Sequence, residues 1–200
     1  MMEIKIETPL TKEKCDKLKA GDRVLLTGKI LTGRDAAHKR LVGLIREDKL
    51  IPLELEDAII FYVGPTPSKP GEVIGSCGPT SSYRMDDYSP YLLDLGLKGM
   101  IGKGYIGEGV IDSIKKNGAV YFTAIGGAGA LLSQCVKESK VIAYEDLESE
   151  AIRELYVEDF PIIVTIDNQG NNLYEMAKTN YEEKIYENNK IIKSWNARIK

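Results

Sequence analysis

The sequence predicts a mixed α/β domain, a mixed sheet with flanking helices. Three observations predict it. The opening is strand-rich. A long stretch after residue 63 is dense in glycine, proline, serine and threonine. From residue 85 short apolar runs alternate with amphipathic ones.

Glu3–Glu7 alternates charged and apolar residues, as a strand with one covered face does. Thr11 is placed to cap a short helix through Leu18, ended by Gly21. Arg23–Leu31 (RVLLTGKIL) reads as a second strand. Asp35 is placed to cap a helix over Ala36–Arg46, where Leu41, Leu44 and Ile45 form an apolar stripe. Ala58–Val63 (AIIFYV) reads as a buried strand. The following GPTPSKPGEVIGSCGPTSSYR is too punctuated for a helix or a long strand, and long ordered loops often carry function. Met85–Leu95 reads as a helix, Gly99–Ile101 as a strand, and Gly109–Lys116 as a helix ended by Asn117-Gly118. Ala119–Ala124 is a strand, Ala128–Cys135 a helix of small residues, and Val141–Tyr144 another strand. Ile152–Glu158 and Ile162–Asp167 are expected to pair as a hairpin-like unit before a turn at Asn168–Asn171. Residues 180–200 are highly charged, with Ile185, Ile191, Ile192 and Trp195 in a helical pattern. A terminal helix, peripheral or packed on a partner, is expected there.

The 200 residues, 43% of them hydrophobic, suffice for one core, or for one domain with a tail. A net charge of -3 gives no basic excess, which argues against a nucleic-acid surface. No apolar run approaches the ~18 residues of a membrane span, and the start MMEIKIETPL lacks the features of a secretory signal. The expected location is the cytoplasm. Cys15, Cys77 and Cys135 are odd in number and far apart, with no C-x-x-C. That argues against a disulfide framework and against a self-contained metal or iron–sulfur site. His38 is the one histidine, and no G-x-S-x-G elbow accompanies it.

Function is therefore sought in local clusters. Gly33-Arg34-Asp35-Ala36-Ala37-His38 lies where a strand hands over to a helix. A helix N-terminus presents unpaired N–H donors, and Arg34 adds a planar fork suited to carboxylate or phosphate. The bland alternative makes Asp35 only a cap and Lys39 and Arg40 a solvated face; His38 suits a structural or supporting role better than acid–base work. Gly78–Asp86 (GPTSSYRMD) sets three hydroxyls, Thr80, Ser81 and Ser82, ahead of Arg84. It reads equally well as an anion cradle or as a capping box with Asp86 as the cap. Gly102–Gly107 fits G-x-G-x-x-G, but no acidic residue for a ribose follows about 20 residues on, and Lys103 sits inside the glycine pair. Lys103 is better read as an anion contact. Ile125–Ala130 (IGGAGA) favours close packing.

The runs GRDAAH (Gly33–His38), GPTSSYRMD (Gly78–Asp86), GKG (Gly102–Gly104), IGG (Ile125–Gly127) and VEDFPIIVTID (Val157–Asp167) occur in order. Together they resemble the β subunit, or C-terminal part, of class I iron–sulfur fumarate hydratases and L-tartrate dehydratases. The resemblance covers roughly residues 3 to 175. It implies a swivelling β/β/α domain over 1–175, with 176–200 as a charged helical tail. It also implies a two-component hydro-lyase in which another subunit, or an N-terminal domain, holds a 4Fe–4S cluster and this chain binds no metal.

Carried over by position, Thr80 matches the catalytic base, and Arg34, Arg84 and Lys103 match the cations that hold the substrate carboxylates. Asp35, His38, Ser81 and Asp86 are the supporting candidates. The family often has two threonines where this chain has Thr80-Ser81. The implied reaction is reversible hydration of fumarate to malate, with L-tartrate dehydration as the alternative. A nucleotide-binding module and a purely structural subunit are the readings from other classes. The implied partners are the cluster-bearing α subunit and a small dicarboxylate, in a hetero-oligomer. A homodimer remains open for the isolated chain.

Overall fold

A computed structural model describes residues 3–125, 127–179 and 181. Its strands are β1 (Glu3–Glu7), β2 (Arg23–Thr32), β3 (Ile59–Phe61), β4 (Gly99–Gly102), β5 (Val120–Thr123), β6 (Val136–Ala143) and β7 (Ile152–Ile166). Its helices are α1 (Lys12–Cys15), α2 (Asp35–Arg46), α3 (Ser89–Asp94), α4 (Glu108–Asn117) and α5 (Gly129–Cys135), with 3-10 turns at Ser82–Met85 and Glu145–Glu150. The expected helix over 180–200 lies outside the described residues, Tyr181 excepted.

The sheet is mixed, as expected. β1 through β5 lie side by side in parallel, and β7 runs antiparallel to β2, β5 and β6. Because β7 pairs with both β2 and β5, the circuit β2–β3–β4–β5–β7 closes on β2, leaving β1 and β6 as outer strands. The strand period of two then sorts each buried run onto two faces. Phe61, Val63, Ile101 and Phe122 join Leu26, Leu155, Phe160 and Val164 in one core. Their neighbours Ile60, Tyr62, Met100 and Tyr121 face the other way, onto Leu41, Leu92, Val110 and Ile114 of helices α2, α3 and α4. A strand buried on both faces reads as an unbroken apolar run, which is how AIIFYV reads. Each large side chain so buried contributes about 1.5–3 kcal/mol.

Four expectations are corrected. The hairpin-like pair over 152–167 is one continuous strand, β7, pairing with β2 from Arg23↔Ile163 to Leu31↔Glu154. Asp159 adopts φ 45° at the bend, its N–H donates to Thr27 Oγ1 at 3.1 Å, and Pro161 stays in register opposite Leu25. The acidic pair and the proline thus mark a bulge rather than a turn. The helix expected over Met85–Leu95 is split into the 3-10 turn Ser82–Met85 and α3, with Pro90 in the first turn of α3, where its missing N–H costs little. The strand expected at Val141–Tyr144 begins earlier, at Val136. Asp35 is the first residue of α2 rather than its cap. The end of α4 follows the expectation: Gly118, at φ 63°, takes the left-handed position that stops the helix.

Because β2, β3, β4 and β5 are parallel, their carboxyl ends, Thr32, Phe61, Gly102 and Thr123, lie along one edge. That edge is where open α/β sheets bind ligands. The motifs singled out above leave from this edge or return to it.

Candidate active site

At the end of β2 the chain enters α2 through Arg34 in an extended conformation. The Arg34 guanidinium lies between two carboxylates. Its Nη2 is 3.4 Å from Glu150 Oε1 and its Nε 3.6 Å from Asp35 Oδ2, with about a quarter of the side chain exposed. Asp35 turns its other oxygen to Arg84, whose Nε–H donates at 2.8 Å. Arg34 and Arg84, distant in sequence, are therefore held as a pair by one carboxylate. Arg34 Nε and Asp35 Oδ2 are both buried without a hydrogen bond, and they face each other.

One of the donors the sequence suggested for a ligand at the start of α2, the Ala36 N–H, is already taken. Glu150 Oε2 accepts the Ala36 N–H at 2.9 Å, so the cap comes from the turn at Glu145–Glu150. Arg34 also passes close to Gly64, just beyond β3. A Cβ there would lie 3.0 Å from Arg34 Cδ and Nη1 and 3.1 Å from Ser149 O.

The hydroxyl loop is stitched in by its main chain. Thr80 N–H donates to Tyr62 O at 2.7 Å, and Thr80 O accepts the Lys103 N–H at 3.2 Å. Ser82 N–H donates to Lys103 O at 3.0 Å, and Ser81 and Lys103 form a parallel bridge. Below this bridge the Tyr121 hydroxyl sits between Ser82 Oγ (2.9 Å) and Gly104 O (2.8 Å), and the Lys103 N–H reaches Ser82 Oγ at 3.1 Å. Thr80 is half-buried, and the Lys103 side chain is exposed, with no ion pair among the described residues. Ser81 and Lys103 line a cavity of about 470 Å³ together with Thr123, Ile125, Thr165 and Tyr174.

The structure thus forms two groups on one edge. One is Arg34, Asp35, Arg84 and Glu150; the other is Thr80, Ser81 and Lys103. The 3-10 turn Ser82–Met85 connects them. Two supporting candidates face elsewhere. His38 is fully buried, edge-on to Tyr62 with ring centroids 5.3 Å apart, and its Nδ1 is 2.9 Å from Arg34 O. A carbonyl only accepts, so Nδ1 carries the proton. Burial lowers the imidazole pKa to about 4, against the weaker upward pull of the Arg34 carbonyl, Asp35 and Glu150. His38 is a neutral support for the Arg34 backbone. Asp86 caps nothing in its own helix. Its Oδ2 accepts the Gly107 N–H at 2.8 Å, at the start of α4, and burial raises its pKa. One backbone donor of the G-x-G-x-x-G loop is thereby taken.

Sequence reasoning missed Glu150, Tyr121 and Gly64. Glu150 ends an acidic run that looks like solvated surface, and nothing local marks it.

Burial raises the thiols of Cys15 and Cys77 to a pKa of about 12. Among the described residues no three His, Cys, Asp or Glu side chains converge. No helix among them is long and apolar enough to cross a membrane.

Residues 1–177 match the family model described as Fumarase C-terminus. A Methanocaldococcus jannaschii protein provisionally named L(+)-tartrate dehydratase subunit beta is 36% identical over 184 residues, covering 89% of this chain and 94% of that protein. The anaerobic class I fumarate hydratase of Escherichia coli (strain K12) is 39% identical over 155 residues, 76% of this chain but 28% of the enzyme. Fumarate hydratase 2 of Leishmania major is 30% identical over 177 residues, 86% of this chain and 31% of the enzyme. The chain therefore spans less than a third of those two fumarate hydratases and nearly all of the archaeal protein.

Proposed function

Because this chain belongs to the Fumarase C-terminus family, we propose that it is the β subunit of a two-subunit iron–sulfur hydro-lyase that reversibly hydrates fumarate to malate. The observation that carries this reading is the arginine pair bridged by Asp35, on the same sheet edge as the Thr80–Lys103 bridge. Two fixed guanidiniums suit planar carboxylates, and one ammonium beside a hydroxyl loop suits a second anionic group.

In the dehydration direction Thr80 takes a proton from the carbon beside one carboxylate. That carboxylate then carries two negative charges, which Arg34, Arg84 and Lys103 stabilise. A threonine hydroxyl is a poor base at its ordinary pKa and needs a group to accept its proton. Neither Asp35 nor Glu150 is free for this, since both hold arginines. The accepting carboxylate is assigned to the partner subunit, as is the 4Fe–4S cluster. The compartment proposed for the complex is the cytoplasm. The domain proposed for this work is 1–175, with 176–200 as a charged tail.

The test is to mix this chain anaerobically with its cluster-bearing partner and to follow fumarate by its ultraviolet absorbance. Activity should require both subunits; full turnover by this chain alone would sink the shared site. A second reading is L-tartrate dehydratase. It is favoured by the length match with the archaeal protein, named for a separate beta subunit. Side-by-side kcat/KM on fumarate and L-tartrate decides between them.

A further inference from the structure

We propose that Glu150 is a positioning residue for Arg34, fixing its guanidinium relative to the start of α2. The proposal rests on the reading above, in which Arg34 holds a substrate carboxylate.

The two oxygens of Glu150 do different things. Oε2 accepts the Ala36 N–H at 2.9 Å, and Oε1 lies 3.4 Å from Arg34 Nη2. One carboxylate therefore grips both the helix end and the arginine two residues before Ala36. The side chain is 23% exposed, so solvent screens this contact only in part. The helix N-terminus adds a favourable field for the negative charge.

The segment that delivers Glu150 is itself anchored. Asp146 pairs bidentately with Arg40, one helical turn further along α2. Between the two anchors the backbone takes φ 52° at Glu148, and Tyr144 ahead of them takes φ 58°. Non-glycine residues in that region carry a conformational cost, and these are held by contacts to α2 at Asp146 and Glu150. Arg34 also lies against Gly64, where an added Cβ would come within 3.0 Å of its Cδ and Nη1. The guanidinium is thus boxed by the turn, by Gly64 and by Asp35. Removing the charge of Glu150 opens one wall of that box and leaves the helix cap replaceable by any acceptor oxygen.

The test separates these two roles. Glu150→Gln keeps an oxygen for the Ala36 amide and removes the charge that holds Arg34; Glu150→Ala removes both. In the full chain labelled with 15N-arginine, the Nε–H signal of Arg34 is identified by its loss in Arg34→Lys. That proton should exchange with solvent at least about tenfold faster in Glu150→Gln than in the unaltered chain. In the complex with the cluster-bearing partner, Glu150→Gln should lower kcat/KM for the diacid about tenfold. Glu150→Asp should recover part of the loss. Unchanged exchange of the Arg34 proton in Glu150→Gln overturns the proposal, as does a Glu150→Gln complex with kcat/KM within about twofold of the unaltered one. An unaltered complex inactive on both diacids would count against the proposed function alone, and the arginine exchange would then decide the role of Glu150.

Discussion

Asp35 accepts the Arg84 Nε–H at 2.8 Å across 49 residues of sequence, while its second oxygen faces Arg34 Nε at 3.6 Å. Two like charges are brought together by one carboxylate that binds both. Replacing Asp35 by Asn keeps the shape and removes the charge. The arginines should then drift apart, and KM for the diacid should rise about tenfold, the equivalent of about 1.4 kcal/mol of binding. Steady-state kinetics of the complex measures this. A lower KM in the variant would mean instead that Asp35 competes with the substrate for the arginines.

Thr80 makes a sharper case because its main chain and side chain do separable work. Its N–H and C=O are bonded to Tyr62 and Lys103, and Thr80→Ala keeps both bonds. The variant should fold and assemble with its partner as before. Turnover should nevertheless fall roughly 10²- to 10⁴-fold, the usual scale for losing a positioned base. Turnover near that of the unaltered complex would remove Thr80 from the chemistry.

His38 predicts a pH dependence of stability. In the folded chain burial holds its pKa at about 4, while an exposed histidine titrates near 6.5. Between those values the unfolded chain binds a proton that the folded chain refuses. This contribution to stability is therefore fully present above about pH 6.5 and is lost as pH falls toward about 4. By pH 5 it should amount to about 2 kcal/mol. Denaturant titrations at pH 7 and pH 5 should show that loss, and His38→Asn should be less stable at pH 7 but flatter between the two. Equal slopes for the two proteins would show that His38 is not the titrating group.

The elements were largely legible, LVGLIR from its helical stripe and AIIFYV from a compact apolar run of strand length. The residues brought to the site edge were legible as motifs, Arg34 and Arg84 among them. Their mutual arrangement was not. Asp35 looks like a helix cap in one dimension, and only the fold shows that Glu150, 114 residues from Ala36, caps the helix and frees Asp35 to bridge two arginines. β7 was misread for a related reason. Glu158-Asp159 and Pro161 carry turn chemistry locally, and pairing along almost the whole of β2 overrides it.

Gly64 offers a second test of the box around Arg34. A methyl group at that position would sit 3.0 Å from Arg34 Cδ and Nη1 and 3.1 Å from Ser149 O. The Ser149 carbonyl cannot recede without carrying its neighbour Glu150, which is bonded to Ala36. The arginine is the flexible member, so it is the one that moves. Gly64→Ala should fold with a melting temperature a few degrees lower, about 1 kcal/mol in stability, and with KM raised severalfold. Because Gly64 and Glu150 act on the same guanidinium, Gly64→Ala combined with Glu150→Gln should raise KM by less than the product of the single effects. Full multiplicative behaviour in that double-mutant cycle would mean that the two walls act on different groups.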